Sequence, residues 1–191
     1  VAHEIFGLLP HYQHVCERLA QAGFVALAPA YFDLIKPGLV LATDQTGTDR
    51  GREVVNQLGL DCGLDVTEAA AQLLAREGHK IGVLGFSWGG TVALLANTRL
   101  GLPAVSYYAT RNPPFLDEPA AAPLMFHFGA LDVPIPPAVI DLHRQKQPQA
   151  QVLVYADAGH AFNRDPDPPY QPAAAALAWE RTLAFFTEHL R

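Results

Sequence analysis

The chain has 191 residues, half of them hydrophobic and 17% charged, so it can bury a sizeable core and is neither disordered nor fibrous. A formal net charge of −6 argues against nucleic acid or an anionic membrane as partner. No apolar run is long enough to span a bilayer, nothing resembles a signal peptide, and Cys16 and Cys62 make no disulfide framework, which reads as a reducing cytoplasm.

Residues 1–10 read as a strand end and loop. Val1 already lies in the strand without an initiator methionine, so the sequence reads as a fragment or a processed form. Tyr12, Val15, Cys16, Leu19 and Ala20 recur at helical spacing over residues 11–22, with Gly23 as the stop. Cys16 on that face reads as a small core residue. Residues 24–28 are a continuous apolar run ended by Pro29, the pattern of a strand buried on both faces. Residues 36–50 are rich in glycine, threonine and aspartate and read as a loop. Helices are predicted over 50–58 and 65–77, the second with Asp65 and Glu68 as a capping box and Gly78 as the stop.

A short apolar strand then ends at Gly85, and a helix predicted over 91–100 begins just past Gly90 and stops at Gly101. Further strands are predicted over 104–108, 124–128 and 152–155. The last helix, over 173–190, carries Ala176, Trp179, Leu183, Phe186 and Leu190 on one stripe. Residues 165–169 read as a stiff surface loop. Strands alternating with helices mean an α/β fold over residues 1–191 as a single domain, a mostly parallel sheet with helices on both faces. In such sheets ligands bind at the carboxyl ends of the strands.

At one such end stands Gly85-Phe86-Ser87-Trp88-Gly89, the G-x-S-x-G pattern of a nucleophile elbow. The turn is so sharp that the serine is held in a strained conformation over a helix N-terminus. A serine hydroxyl is a poor nucleophile at neutral pH and needs a general base. The strand over 124–128 runs into Asp132, and the strand over 152–155 runs into His160. Those two are the expected acid and base, in the chain order Ser87, Asp132, His160. Alone, Asp132 reads as a turn residue and His160 as a loop histidine; together beside an elbow they read as catalytic. Asp157 is the rival acid, but it is so close to His160 that a loop-capping role suits it better. His127 reads as a core residue, and His11 and His14 lack a partner that would make them a metal site. The expected oxyanion donors are the N–H groups of Trp88 and Ile5.

These residues resemble the dienelactone hydrolase family, the carboxymethylenebutenolidases. The motifs are Glu4-Ile5-Phe6-Gly7, the run from Arg18 to Pro29, the elbow through Gly90, Asp132 with Ile135-Pro136, and Gly159-His160-Ala161-Phe162. The resemblance covers nearly the whole chain. It implies a compact α/β-hydrolase fold without a large lid and hydrolysis of a lactone that bears a free carboxylate. It also implies two arginines gripping that carboxylate, Arg52 and Arg164; Arg50 is an alternative to Arg52, and Arg111 a third candidate. Two departures stand out. The family pattern has a cysteine at the elbow where this chain has Ser87, which shifts expectation towards a general small-ester hydrolase. That leaves Glu4, which in the family lies beside the thiol, to orient Ser87, to hold a loop or to do nothing of importance. Such folds also usually carry additional strands before the first oxyanion loop. The expected partner is a small ester or lactone, with no cofactor and no metal, in a monomer. A thioesterase on the same triad and a non-catalytic pocket for a small acid are the competing readings.

Overall fold

The computed structural model describes residues 1–191. Four strands, β1 (Val83–Phe86), β2 (Ala104–Tyr107), β3 (Leu124–Gly129) and β4 (Gln151–Tyr155), form a parallel sheet in sequence order. Val83 pairs with Ala104, Ala104 with Leu124, and Met125 with Gln151. Every residue of β1, β2 and β3 is buried, which is why these strands read as mostly apolar runs, broken only by Ser106 and His127, rather than alternating ones. β4 lies at one edge and is only partly buried along its length.

Helices α1 (Pro10–Gln21), α2 (Gln45–Leu58) and α3 (Leu60–Arg76) precede the sheet. α4 (Trp88–Leu100) connects β1 to β2, α5 (Pro137–Lys146) connects β3 to β4, and α6 (Pro172–Leu190) closes the chain. Successive strand residues point to opposite faces. Tyr107 and His127 reach Thr182 of α6 through hydrogen bonds of 2.6 and 3.1 Å. Phe126 and Phe128, next to His127, instead meet the ring of His143 on α5. The sheet is therefore covered on both faces, the arrangement of the α/β hydrolases. No helix is long and apolar enough to cross a membrane.

Three expected elements differ. Residues 24–28 are extended but join no ladder, and Val25 is 56% exposed. Strand hydrogen bonds need a neighbouring segment. Here Leu27 meets only the Val1 ammonium at 2.7 Å, and Ala2 meets β1 only through a single bridge to Gly85. α2 starts inside the predicted loop because the Asp44 carboxylate accepts from the Gly47 N–H at 2.7 Å and caps it. α3 starts five residues before Asp65, straight after Gly59, whose φ of 78° turns the chain. Asp65 and Glu68 are therefore helix-interior residues, not a capping box.

Candidate active site

β1 delivers Ser87 in a conformation that few non-glycine residues adopt, with φ 51° and ψ −114°. Its neighbours must be glycine for want of room. A Cβ on Gly85 would lie 1.9 Å from the Gly89 carbonyl oxygen, and one on Gly89 would lie 2.3 Å from that of Ala2. The Ser87 N–H donates to Tyr107 O at 2.9 Å and ties the elbow to β2.

The turns after β3 and β4 are laced together, with Leu131 N–H donating to Ala158 O at 2.9 Å. This brings Asp132 and His160 within reach of each other. His160 Nδ1 donates to Asp132 Oδ2 at 2.9 Å, and Ser87 Oγ lies 3.3 Å from His160 Nε2. Asp132 is 3% exposed, whereas Asp157 is a surface residue with no bond to the imidazole. A carbonyl or carboxylate can only accept, so Asp132 holds the Nδ1–H tautomer and leaves Nε2 as an acceptor facing Ser87.

Two backbone donors flank the serine. The Trp88 N–H is the first of α4 and has no intrahelical acceptor. The Ile5 N–H, at the turn after the Ala2–Gly85 bridge, donates to no group in the protein. Ser87, Trp88, Ile5, Glu4 and His160 all line one cleft of about 310 Å³. That is the small end of ligand pockets.

The charges divide unevenly around this cleft. Arg164, expected at the substrate, lines the same cleft, and its guanidinium is held between two carboxylates: Nη1 pairs with Glu4 Oε2, and Nε donates to Asp167 Oδ2 at 2.7 Å. Burial alone would lower the guanidinium's pKa, yet the Glu4 charge and hydrogen bond outweigh it and hold it above its ordinary value. Glu4, 1% exposed, is likewise occupied by Arg164 rather than bonded to Ser87. Arg52 lines the cleft with an exposed side chain, 3.6 Å from Asp49. Arg111 lines it as well, and its Nη1 donates to Asn56 Oδ1 at 2.9 Å, one turn along α2 from Arg52. Desolvation and the like charge of Arg52 both lower the Arg111 pKa, so the two cations sense each other across the cleft wall. Arg50 pairs with Glu53 on the helix surface.

The model of the dienelactone hydrolase family matches residues 1–190. The chain belongs to this family. It is 31% identical over 212 residues to a Yersinia pestis protein bearing the name carboxymethylenebutenolidase, covering 99% of this chain and 77% of that one. Over 199 residues it is 28% identical to a carboxymethylenebutenolidase of Pseudomonas putida, covering 97% and 83% of the two chains. A Klebsiella pneumoniae crystal structure designated a dienelactone hydrolase superimposes with a TM-score of 0.85 at 29% identity, covering 98% of this chain and 85% of that one. The protein is a hydrolase of the dienelactone hydrolase type.

In this family member some residues in and beside the cleft escape a sequence reading. Tyr108 is fully buried with φ 38°, and its ring stands 5.2 Å from that of His160. Thr110 and Arg111 follow it in the chain and line the cleft, Arg111 being the third candidate of the sequence reading and Thr110 unmarked there. Their position just past the carboxyl end of β2 was the available signal. Thr43 and Thr48 come from the segment around the start of α2, where nothing in the sequence marks a cleft. His127, expected in the core, is fully buried and hydrogen-bonded to Tyr155 and Thr182.

Proposed function

We propose that the protein cleaves small carboxylic esters or lactones through an acyl-enzyme, with Ser87 as nucleophile, His160 as general base and then acid, and Asp132 as its orienting partner. The observation that carries this reading is the run of hydrogen bonds from Ser87 Oγ to His160 Nε2 to Asp132 Oδ2, at 3.3 and 2.9 Å, opening into the cleft. Ser87 Oγ attacks the acyl carbon as its proton passes to Nε2. The oxyanion that forms is met by the N–H groups of Ile5 and Trp88. The leaving alkoxide takes the proton from His160 and departs. Water then attacks the ester on Ser87, giving its proton to His160, and the collapse of that intermediate returns the proton to Ser87 and releases the acid.

A serine hydroxyl is far too weak an acid to rest as an anion, so proton removal has to coincide with attack. Only His160 is in hydrogen-bond contact with Ser87 Oγ, while the Glu4 carboxylate is tied to Arg164. The base is accordingly His160. Arg52 and Arg111, which have no buried carboxylate to neutralise them, favour substrates with an anionic substituent.

The test is steady-state hydrolysis of a carboxylate-bearing dienelactone and of neutral p-nitrophenyl acetate by one preparation, repeated with Ser87→Ala. The expected result is a loss of about 10⁴- to 10⁶-fold in kcat for Ser87→Ala on both substrates. In the wild type, kcat/KM is expected to be higher for the dienelactone. More than a tenth of the rate surviving in Ser87→Ala would remove the serine as nucleophile. A preference for the neutral ester would remove the anionic substituent from the reading and leave the acyl-transfer chemistry standing.

A further inference from the structure

Glu4 is held at every polar group of its main chain. Its N–H donates to Tyr12 Oη at 2.9 Å, and its carbonyl accepts from Nδ1 of His3 at 2.6 Å. That carbonyl shares one planar peptide with the Ile5 N–H, and in a trans peptide the two point in opposite directions. Whatever holds the Glu4 oxygen therefore aims the Ile5 hydrogen. His3 is suited to hold it because it has nowhere else to go. Its side chain is fully buried, with the rings of Tyr31 and Phe32 edge-on at 5.0 Å and those of Tyr12 and Trp88 at 6.0 and 6.3 Å. Its other nitrogen, Nε2, is buried without a partner, so the bond to Glu4 is the one polar contact that this imidazole makes. A buried polar ring kept for one bond to one peptide oxygen is a costly arrangement for mere filling.

We propose that His3 is a positioning residue for the oxyanion site. Its Nδ1–H sets the orientation of the Glu4–Ile5 peptide, so that the Ile5 N–H is directed at the oxygen on which charge develops. The hydrogen bond also withdraws electron density through the peptide and makes that N–H the better donor. Burial holds the imidazole neutral down to about pH 4, so this bond persists across the range in which esters are assayed. The inference rests on the acyl-transfer reading, in which the Ile5 N–H is an oxyanion donor.

The experiment replaces His3 with three side chains and measures kcat, KM and the thermal midpoint with p-nitrophenyl acetate, alongside Ser87→Ala. Asparagine carries an amide N–H close to the place of Nδ1, glutamine carries one close to the place of Nε2, and leucine carries none. His3→Leu and His3→Gln are expected to lose about 10- to 100-fold in kcat with KM changed less than about twofold, the effect of a misdirected oxyanion donor. His3→Asn is expected to keep its rate within about threefold of wild type. If leucine at this position does not fold, the asparagine and glutamine pair decides the matter. Equal losses in His3→Asn and His3→Gln, or rates that follow the thermal midpoint rather than the N–H, would reduce His3 to a packing role. So would an undiminished rate in His3→Leu or His3→Gln. Activity surviving in Ser87→Ala would overturn the acyl-transfer reading, and the role of His3 with it.

Discussion

Arg164 and Glu4 are 160 positions apart in the chain and meet inside the cleft wall, where their charges cancel before a substrate arrives. Both are nearly buried, so removing one partner strands the other. Arg164→Ala is expected to lower stability by about 3–5 kcal/mol, because the Glu4 carboxylate is left without its counter-charge in a site of low polarity. The double replacement Glu4→Gln with Arg164→Met removes both charges and is expected to cost less than the single one, by urea denaturation. A double replacement as costly as Arg164→Ala would mean that packing, not charge, sets the loss. The same scale governs Asp132. Asp132→Asn leaves the size of the side chain alone but permits the wrong imidazole tautomer, and kcat is expected to fall about 10⁴-fold with the fold intact. Retention of rate would show that the Nδ1–H of His160 needs no carboxylate.

At the scale of elements, α2 is the helix that props the Glu4–Ile5 loop, the proposed oxyanion loop. It carries Arg52 to the cleft and Asn56 to the Arg111 guanidinium, and its Gly51 touches the loop itself: a Cβ there would lie 2.1 Å from the Ile5 carbonyl oxygen. In an ordinary exposed helix, glycine to alanine gains about 1 kcal/mol. Here the added methyl collides with backbone that is fastened to Tyr12 and His3 and cannot retreat freely. Gly51→Ala is therefore expected to lower both the thermal midpoint and kcat, and a stabilised, fully active variant would show that the loop gives way without consequence. The glycine, threonine and aspartate in the first turns of α2 disguised residues 45–49 as loop in the sequence, while 50–58 was legible as helix. Its start rests on a single local contact, the Asp44 cap, while its length rests on the buried side of Gly47, Gly51, Val54, Val55 and Leu58.

At the scale of the whole molecule, burial of neutral histidines couples folding to pH. Burial lowers His3 from 6.5 to about 4 and, with no carboxylate to offset it, His127 to about 3. His11 and His143 shift the same way, again through burial. As pH falls through 6.5 the unfolded chain takes up protons on these groups and the folded protein does not, so the unfolded state gains. The stability these histidines contribute is full above about pH 6.5 and declines continuously as pH falls towards 4 and then 3. Urea midpoints measured at pH 7.5, 6 and 5 are expected to fall in that order, and His127→Gln is expected to flatten the decline. A midpoint constant from pH 7.5 to 5 would contradict the picture.

The parts legible in the sequence were those written in local chemistry. The elbow announces itself because a strained serine needs glycines on both sides, and both lie within two residues of it in the chain. Mostly apolar runs mark β1 to β3 because a parallel sheet covered on both faces buries nearly every side chain, Ser106 and His127 being the polar exceptions. The places of Asp132 and His160 follow, since a loop after a strand is a local feature. What only the tertiary structure decided is who faces whom. The run at 24–28 reads as a strand by every local measure, yet a strand exists only where a second segment offers its hydrogen bonds. Arg164 reads as a substrate ligand by its place beside His160, and it does line the cleft, but only the fold shows that its guanidinium is paired with Glu4. Arg111 and Arg52, from different elements, share a wall because Asn56 holds one of them a turn from the other. Local propensity depends on neighbours in sequence, whereas charge pairing and sheet pairing depend on distance in space, which the folded chain alone sets.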